Sequence, residues 1–438
     1  MTFTIANLLF LLLFGAAIFL FARNIARIRR NINLGRPEDR SDRSAERWAI
    51  MARVALGQSK MMMRPVAGVM HILIYLGFII INIEILEIII DGIFGTHRLF
   101  AFLGSLYAFL IGFFEVLALL VLVACIVFLA RRYLLRIARF WGYEMTRGPQ
   151  RDATVILVSE ILLMLAFLNW NAADQVLAQR DIQPYITAGA FPISGWLQPF
   201  YAAVPDGSLI FLERAFWWFH ILGILAFMNY LVISKHLHII LAFPNVYFSK
   251  LRPRTEMLNM DRVTEEVKAM LDPSLPPPAT AEGNAPPERF GAKDIFDLSW
   301  KSLLDAYSCT ECGRCSSECP ATITGKMLSP RKIVMNTRDR IEEVGRNINA
   351  NGNFVDDGKD LHSWISEEEL WACNTCNACT MACPVNIDPV HIILEMRRYL
   401  VMEQSRTRPA LTSMFTNVEN NGAPWPFGPD RRLDWVEK

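Results

Sequence analysis

Eight of the nine cysteines in this chain fall in two runs near its C-terminal end. The first is Cys309, Cys312, Cys315 and Cys319, followed by Pro320; the second is Cys373, Cys376, Cys379 and Cys383, followed by Pro384. Each run reads C-x2-C-x2-C-x3-C-P, a ferredoxin-type ligand spacing in which the fourth cysteine ligates the other cluster of a pair. Three thiolates on one tight loop can wrap a cube, and the fourth is held off by three residues. The spacing predicts one [4Fe-4S] cluster on Cys309, Cys312, Cys315 and Cys383, and a second on Cys373, Cys376, Cys379 and Cys319. A zinc knot uses separated C-x2-C pairs and has no use for a third and fourth cysteine in the same run. A disulfide framework belongs to small secreted domains, which this 438-residue chain is not. The ninth cysteine, Cys125, sits in an apolar segment and reads as a small core residue.

Histidines supply a second redox pattern. His71, His97, His220 and His238 lie in or beside long apolar stretches. His220 and His238 are separated by about five turns at 3.6 residues each, which puts them on one helix face roughly 27 Å apart. That separation places them near opposite sides of a bilayer. His71 matches the depth of His238, and His97, roughly 30 Å along the chain from His71, matches His220. Two imidazoles from different helices at equal depth are what a six-coordinate b-type haem requires. An inner haem on His71 and His238 and an outer haem on His97 and His220 are expected, one or two haems in all. His236, which points away from that face, is the substitute ligand for the inner site. For each histidine the alternative is a polar residue hydrogen-bonded inside the bundle. Glu84, Glu87 and Glu115 are also drawn into apolar helices, where an acid is costly and usually functional. They are candidates for exchanging protons with a quinone, or for pairing helices through hydrogen bonds.

The elements that position these groups divide the chain into two halves. Hydrophobic residues make up 53% of the sequence, above the usual share for a soluble protein. The net charge of +1 gives no basic field for nucleic acid. Five apolar stretches, Ile5 to Phe21, Val66 to Ile90, Leu99 to Ala130, Ala153 to Ala178 and Leu209 to Phe243, are near or beyond the ~20 residues of a spanning helix. The first has its arginines, Arg23, Arg27, Arg29 and Arg30, after the apolar run, which argues for a spanning helix over a signal peptide. Lys and Arg crowd the first and third connections and the segment after the fifth stretch. By the positive-inside rule the N-terminus is outside and the C-terminal half cytoplasmic. A reducing cytoplasm also protects eight cluster thiolates from becoming disulfides.

The expected fold is all-α. A five-helix transmembrane cytochrome b-type bundle occupies residues 1–245, and a polar linker rich in proline, from Pro273 through Pro276, Pro277, Pro278, Pro286 and Pro287, occupies 246–290. A cytoplasmic α-helical two-cluster ferredoxin-like domain covers 291–403, and a tail covers 404–438. Ser44 to Gln58 reads as an interfacial amphipathic helix or a solvated connector. Ser329-Pro330, and Ser366 with Glu369, mark helix starts. Asn349 to Gly358 is a loop.

With both halves placed, the first 245 or so residues resemble the five-helix cytochrome b subunit of membrane nitrate reductases. From about Phe290 the chain is similar to the iron–sulfur part of heterodisulfide-reductase-like proteins and of electron-transfer-flavoprotein:quinone oxidoreductases. The carrying segments are WKSLLDAYSCTECGRCSSECP (Trp300 to Pro320), CNTCNACTMACPVNIDP (Cys373 to Pro389) and NVENNGAPWPFGPDRRLDW (Asn417 to Trp435). In the nitrate-reductase subunit the second helix supplies two haem ligands; here only His71 lies in it. In many relatives the tail continues into cysteine-rich CCG modules, whereas this sequence stops at Lys438. The resemblance implies that a separate cytoplasmic subunit carrying CCG-type modules, or a flavoprotein, supplies the catalytic end and docks on the tail.

The reading that follows is a membrane electron-transfer subunit of a respiratory oxidoreductase in a bacterial or archaeal cytoplasmic membrane. It would connect the quinone pool with a cytoplasmic partner through haem b and two [4Fe-4S] clusters. The alternatives are a quinol-linked thiol/disulfide reductase subunit and a non-catalytic redox sensor or scaffold. No nucleophile or acid–base pair stands out in the cluster domain, so the side chains hold cofactors and tune them.

Overall fold

The computed structural model describes residues 4–253, 255–275 and 289–436. Among the described residues the secondary structure is helical, with one isolated bridge between Arg36 and Ser299 and no strand. Five helices are long and apolar enough to cross a membrane: α1 (Ile5–Ile32), α2 (Pro65–Phe94), α3 (Ser105–Tyr133), α4 (Arg147–Gln179) and α5 (Asp206–Ile233). Their ends follow local chemistry. Pro65 occupies the first turn of α2, where its missing N–H costs nothing, and Gly95 closes that helix at φ +68°, a conformation that L side chains resist.

The fifth apolar stretch does not form one helix. Ser234 turns extended, its Oγ accepts the His236 N–H at 3.0 Å, and a single tight turn leads into α6 (His238–Tyr247). His220 and His238 therefore sit on different helices, and the five-turn ruler between them does not apply. Ser44–Met51 is helical as expected and continues into a wider turn over Ala52–Leu56. Val54 and Ala55 of that turn pack on Val246 of α6.

In the C-terminal half, α7 (Trp300–Ser308) leads into the first cysteine loop and α8 (Pro330–Asn351) follows it. Ser329 caps α8, and Ser366 and Glu369 form a reciprocal cap on the short helix Glu367–Trp371, both at the positions their side chains predict. Asp388 caps α9 (Pro389–Arg398) by accepting the Val390 and His391 N–H groups. α10 (Pro409–Asn421) carries no buried residue. The 246–290 segment is not extended throughout, since Asp261–Leu271 is helical; the run from Pro276 to Pro287 lies outside the described residues.

The two halves share a hydrophobic core. Ile28 and Ile32 of α1, Leu231 and Val232 of α5, and Leu237 belong to the same buried cluster as Leu303, Leu304, Ile333, Ile341 and Ile392 of the C-terminal half. The C-terminal half is thus packed against the Ile28–Ile32 end of α1 and the Leu231–Val232 end of α5, where apolar burial at ~25 cal/mol per Å² opposes its release.

Candidate redox sites

The cysteine loops have matching backbones. Glu311 and Thr375 stand two residues after the first cysteine of their runs, at φ +55° and +53°. Gly313 and Asn377 stand four residues after it, at +72° and +59°. These left-handed residues curl each loop inward, so that main-chain N–H groups reach sulfur: Glu311 N lies 3.5 Å from Cys309 Sγ, Thr375 N 3.4 Å from Cys373 Sγ, and Ile387 N 3.3 Å from Cys383 Sγ. Such bonds favour thiolate ligands and raise the potential of the centre they hold.

The folded loops sort the eight cysteines into two groups. Cys309, Cys312, Cys315 and Cys383 line one cavity, and Cys319, Cys373, Cys376 and Cys379 line another. Among the described residues no three His, Cys, Asp or Glu side chains are gathered in the arrangement of a single-ion site. Each set of four thiols surrounds a space, which suits a cluster.

The first cavity faces the half that holds the five long apolar helices. Lys60 donates to the Cys383 carbonyl at 2.9 Å and to Asn386 Oδ1 at 2.7 Å. Arg314 donates to the Lys60 carbonyl at 2.9 Å, and Asn245 of α6 to the Val385 carbonyl at 2.9 Å. Arg331 of α8 donates to the Arg139 carbonyl and to Glu144, both in the connection between α3 and α4. Lys235 forms an ion pair with Glu311. Burial works against the Glu311 carboxylate, yet Lys235 and Arg338 outweigh it and hold its pKa below the ordinary value. Five basic residues of the two halves thus converge around the first group of thiols. None has a local sequence signature, since each partner lies far along the chain.

Residues 308–387 match the 4Fe-4S dicluster domain family. The whole chain is also similar to a probable iron-sulfur-binding oxidoreductase, FadF, of Bacillus subtilis, at 29% identity over 100% of this chain and 61% of that protein. It is 26% identical to the EtfAB:quinone oxidoreductase of Syntrophomonas wolfei over 91% of this chain and 55% of the relative. Residues amounting to 26% of this chain are 34% identical to 56% of one polypeptide of a CoB-CoM heterodisulfide reductase from Methanosarcina acetivorans. The chain spans just over half the length of the first two relatives. No solved structure matches it. These relatives are iron–sulfur oxidoreductases or components of them, which agrees with the dicluster domain and places the chain among electron-transfer proteins.

Above the dicluster domain, a cavity of ≈ 340 Å³ between the helices is lined by His71, His220, His236 and His238 together with Glu160, Asn82, Tyr75 and Cys125. The ring centres of His71 and His238 are 6.2 Å apart, within the span that two imidazoles could bridge through one metal at bonds of ~2 Å. His238 Nδ1 lies 3.0 Å from the Lys235 carbonyl, and His220 Nδ1 3.0 Å from the Leu163 carbonyl. A carbonyl only accepts, so both rings carry their proton on Nδ1 and keep the Nε2 lone pair, the arrangement found for metal-binding imidazoles. His71 Nδ1 is buried with no hydrogen-bond partner among the described residues. The donor set fits a haem held by His71 and His238, with His236 in the same cavity.

His97 does not line the cavity that holds His220. It lies at the end of the bundle away from the cysteine runs, where its Nε2 stands 2.8 Å from Asp174 Oδ1 and its ring packs on Tyr185 at 5.1 Å. Arg98 holds the other Asp174 oxygen at 2.7 Å, so this loop histidine serves a buried polar knot. The three acids also separate. Glu87 accepts from Phe100 N and Tyr107 Oη, both at 2.6 Å, and Glu115 accepts from Ile193 N, Ser194 and Asn171. Both act as helix fasteners, the pairing alternative for these positions. Neither oxygen of buried Glu84 has a hydrogen-bond partner among the described residues, and it does not line the histidine cavity. The carboxylate that does is Glu160 of α4. An acid inside the apolar stretch Ala153 to Ala178 is the same signal that marked Glu84, and sequence reasoning passed over it.

Proposed function

We propose that this chain is the membrane electron-transfer subunit of a quinone-linked oxidoreductase, with one b-type haem on His71 and His238 and two [4Fe-4S] clusters in the crossed ligand sets. When bound, these groups supply one-electron carriers. The observation that carries the reading is the orientation of the Cys309, Cys312, Cys315 and Cys383 cavity toward the inner ends of the spanning helices, beside the segment that carries His238. The other four thiols then serve the cytoplasmic side.

The residues have separable tasks. The Lys235 and Leu163 carbonyls orient His238 and His220. Lys60, Arg314 and Arg331 hold the dicluster domain in register with the connections between helices. The far end of the histidine cavity, with His220 and Glu160, suits a quinone headgroup: an imidazole to meet a carbonyl oxygen and a carboxyl to exchange its proton. Positive residues in the first and third connections set the dicluster domain on the cytoplasmic side. A cytoplasmic partner, a flavoprotein or a subunit with CCG-type modules, would dock on the tail from 404 to 438, whose α10 exposes Phe415 and Val418.

An optical and EPR redox titration of the purified membrane protein tests this. The expected result is a b-type α-band with two [4Fe-4S] signals, and added quinol reduces the haem. Absence of the band removes the haem; a cluster count other than two removes the ligand sets.

A further inference from the structure

Lys235 and Glu311 occupy a short path on which a haem-side imidazole and a cluster-side thiol are joined. The Lys235 carbonyl faces His238 Nδ1 at 3.0 Å. Its ammonium, 9% exposed, pairs with the Glu311 carboxylate, 3% exposed, and donates to the Pro149 carbonyl at 2.7 Å. Asp152 adds a second fix, accepting the Lys235 N–H at 3.1 Å. On the other side, Glu311 is held in the left-handed region, its N–H points at Cys309 Sγ at 3.5 Å, and Arg338 reaches its second carboxylate oxygen at 2.8 Å. Two residues thus connect one proposed ligand set to the other, from chain segments with no local relation.

We propose that the Lys235–Glu311 pair is a positioning and potential-setting device that adjusts the cluster on Cys309, Cys312, Cys315 and Cys383 relative to the haem on His71 and His238. The inference rests on the cofactor assignment above. Its physical content is a sign. Reduction adds one negative charge to the cluster, so the nearby ammonium favours the reduced form and the nearby carboxylate opposes it. Burial keeps both effects from being screened by salt. Because the two charges act in opposition on the same centre, removing both leaves the field nearly as it was. A purely structural contact has no such pattern.

The test is a potentiometric EPR titration of the full-length protein in detergent, with haem absorbance recorded on the same samples. Lys235→Gln should lower the potential of this cluster and Glu311→Gln should raise it. Each shift should be roughly tenfold in the reduced-to-oxidised ratio at a fixed potential, ~59 mV for one electron. Lys235→Arg should stay near wild type, and the double variant should return toward it. Shifts of the same sign in both single variants, or none, overturn the proposal. If Lys235→Gln fails to retain the cluster, Glu311→Gln decides alone, since Arg338 then faces a neutral amide and an upward shift is still required. A wild-type protein lacking the haem band or either cluster signal overturns the cofactor assignment instead, and is seen before any variant is made.

Discussion

Arg331 Nη2 stands 2.7 Å from Glu144 Oε1, with the two side chains 2% and 4% exposed, and this pair clamps the iron–sulfur half to the connection between α3 and α4. Ser329 Oγ donates to the same Glu144 oxygen at 2.6 Å. One carboxylate thus receives the guanidinium and the cap of α8 together.

Burial raises the Glu144 pKa, but Arg331 and Ser329 outweigh it and hold the carboxyl below its ordinary value of 4.5. A group depressed on folding contributes stability that is fully present above the unfolded value and is lost as pH falls through the folded one. Acidification below about pH 4.5 is therefore expected to loosen this junction, seen as faster hydrogen exchange in the 138–146 connection. Glu144→Gln should remove that acid-dependent step. It should also cost about 3–5 kcal/mol at neutral pH, because Arg331 stays buried without its counter-charge. An unchanged acid response in the variant would count against the assignment.

Crossed ligation predicts that the two runs can be told apart by their fourth cysteines. Cys383→Ala should abolish the cluster that shares a cavity with Cys309, and Cys319→Ala the one that shares a cavity with Cys373. In each case iron content should fall by about half. EPR of the two variants distinguishes this from self-contained runs, in which the losses would be exchanged.

For the histidines the contrast is between His238 and His97. His238→Ala should remove the b-type α-band and leave both cluster signals. His97→Ala should keep the band and lower thermal stability by roughly 1–3 kcal/mol, since buried Asp174 loses a neighbour. Loss of the band in the His97 variant would restore that residue as a ligand.

Glu160 is expected to matter for turnover and not for assembly. Glu160→Gln should retain haem and clusters while slowing haem reduction by a short-chain quinol roughly a hundredfold, the effect of losing a positioned proton-transfer group. Stopped-flow absorbance of the haem band measures it. A wild-type rate in this variant would move the quinone site elsewhere.

Much of the architecture was legible because its causes are local. Five apolar runs and the caps at Ser329 and Ser366 each describe a few consecutive turns of chain; five long helices and both caps appear, the fifth helix ending at Ile233, short of the end of its run. Hydropathy cannot show the break at Ser234, because the apolar run continues through it while the Ser234 hydroxyl caps the turn that follows. His97 matches His220 by depth alone, and depth is one coordinate where a ligand pair needs three.

By itself the sequence determined which atoms could bind iron and which segments could enter a bilayer, because both depend on residue type and short-range spacing. Tertiary structure decided the rest. Packing of α1, α5 and α6 against α7 and α8 set one thiol cavity beside the ends of the long apolar helices, put Glu160 with the histidines in one cavity, and paired Lys235 with Glu311. Those relations come from burial of apolar surface shared between distant segments, which no periodicity within either segment records.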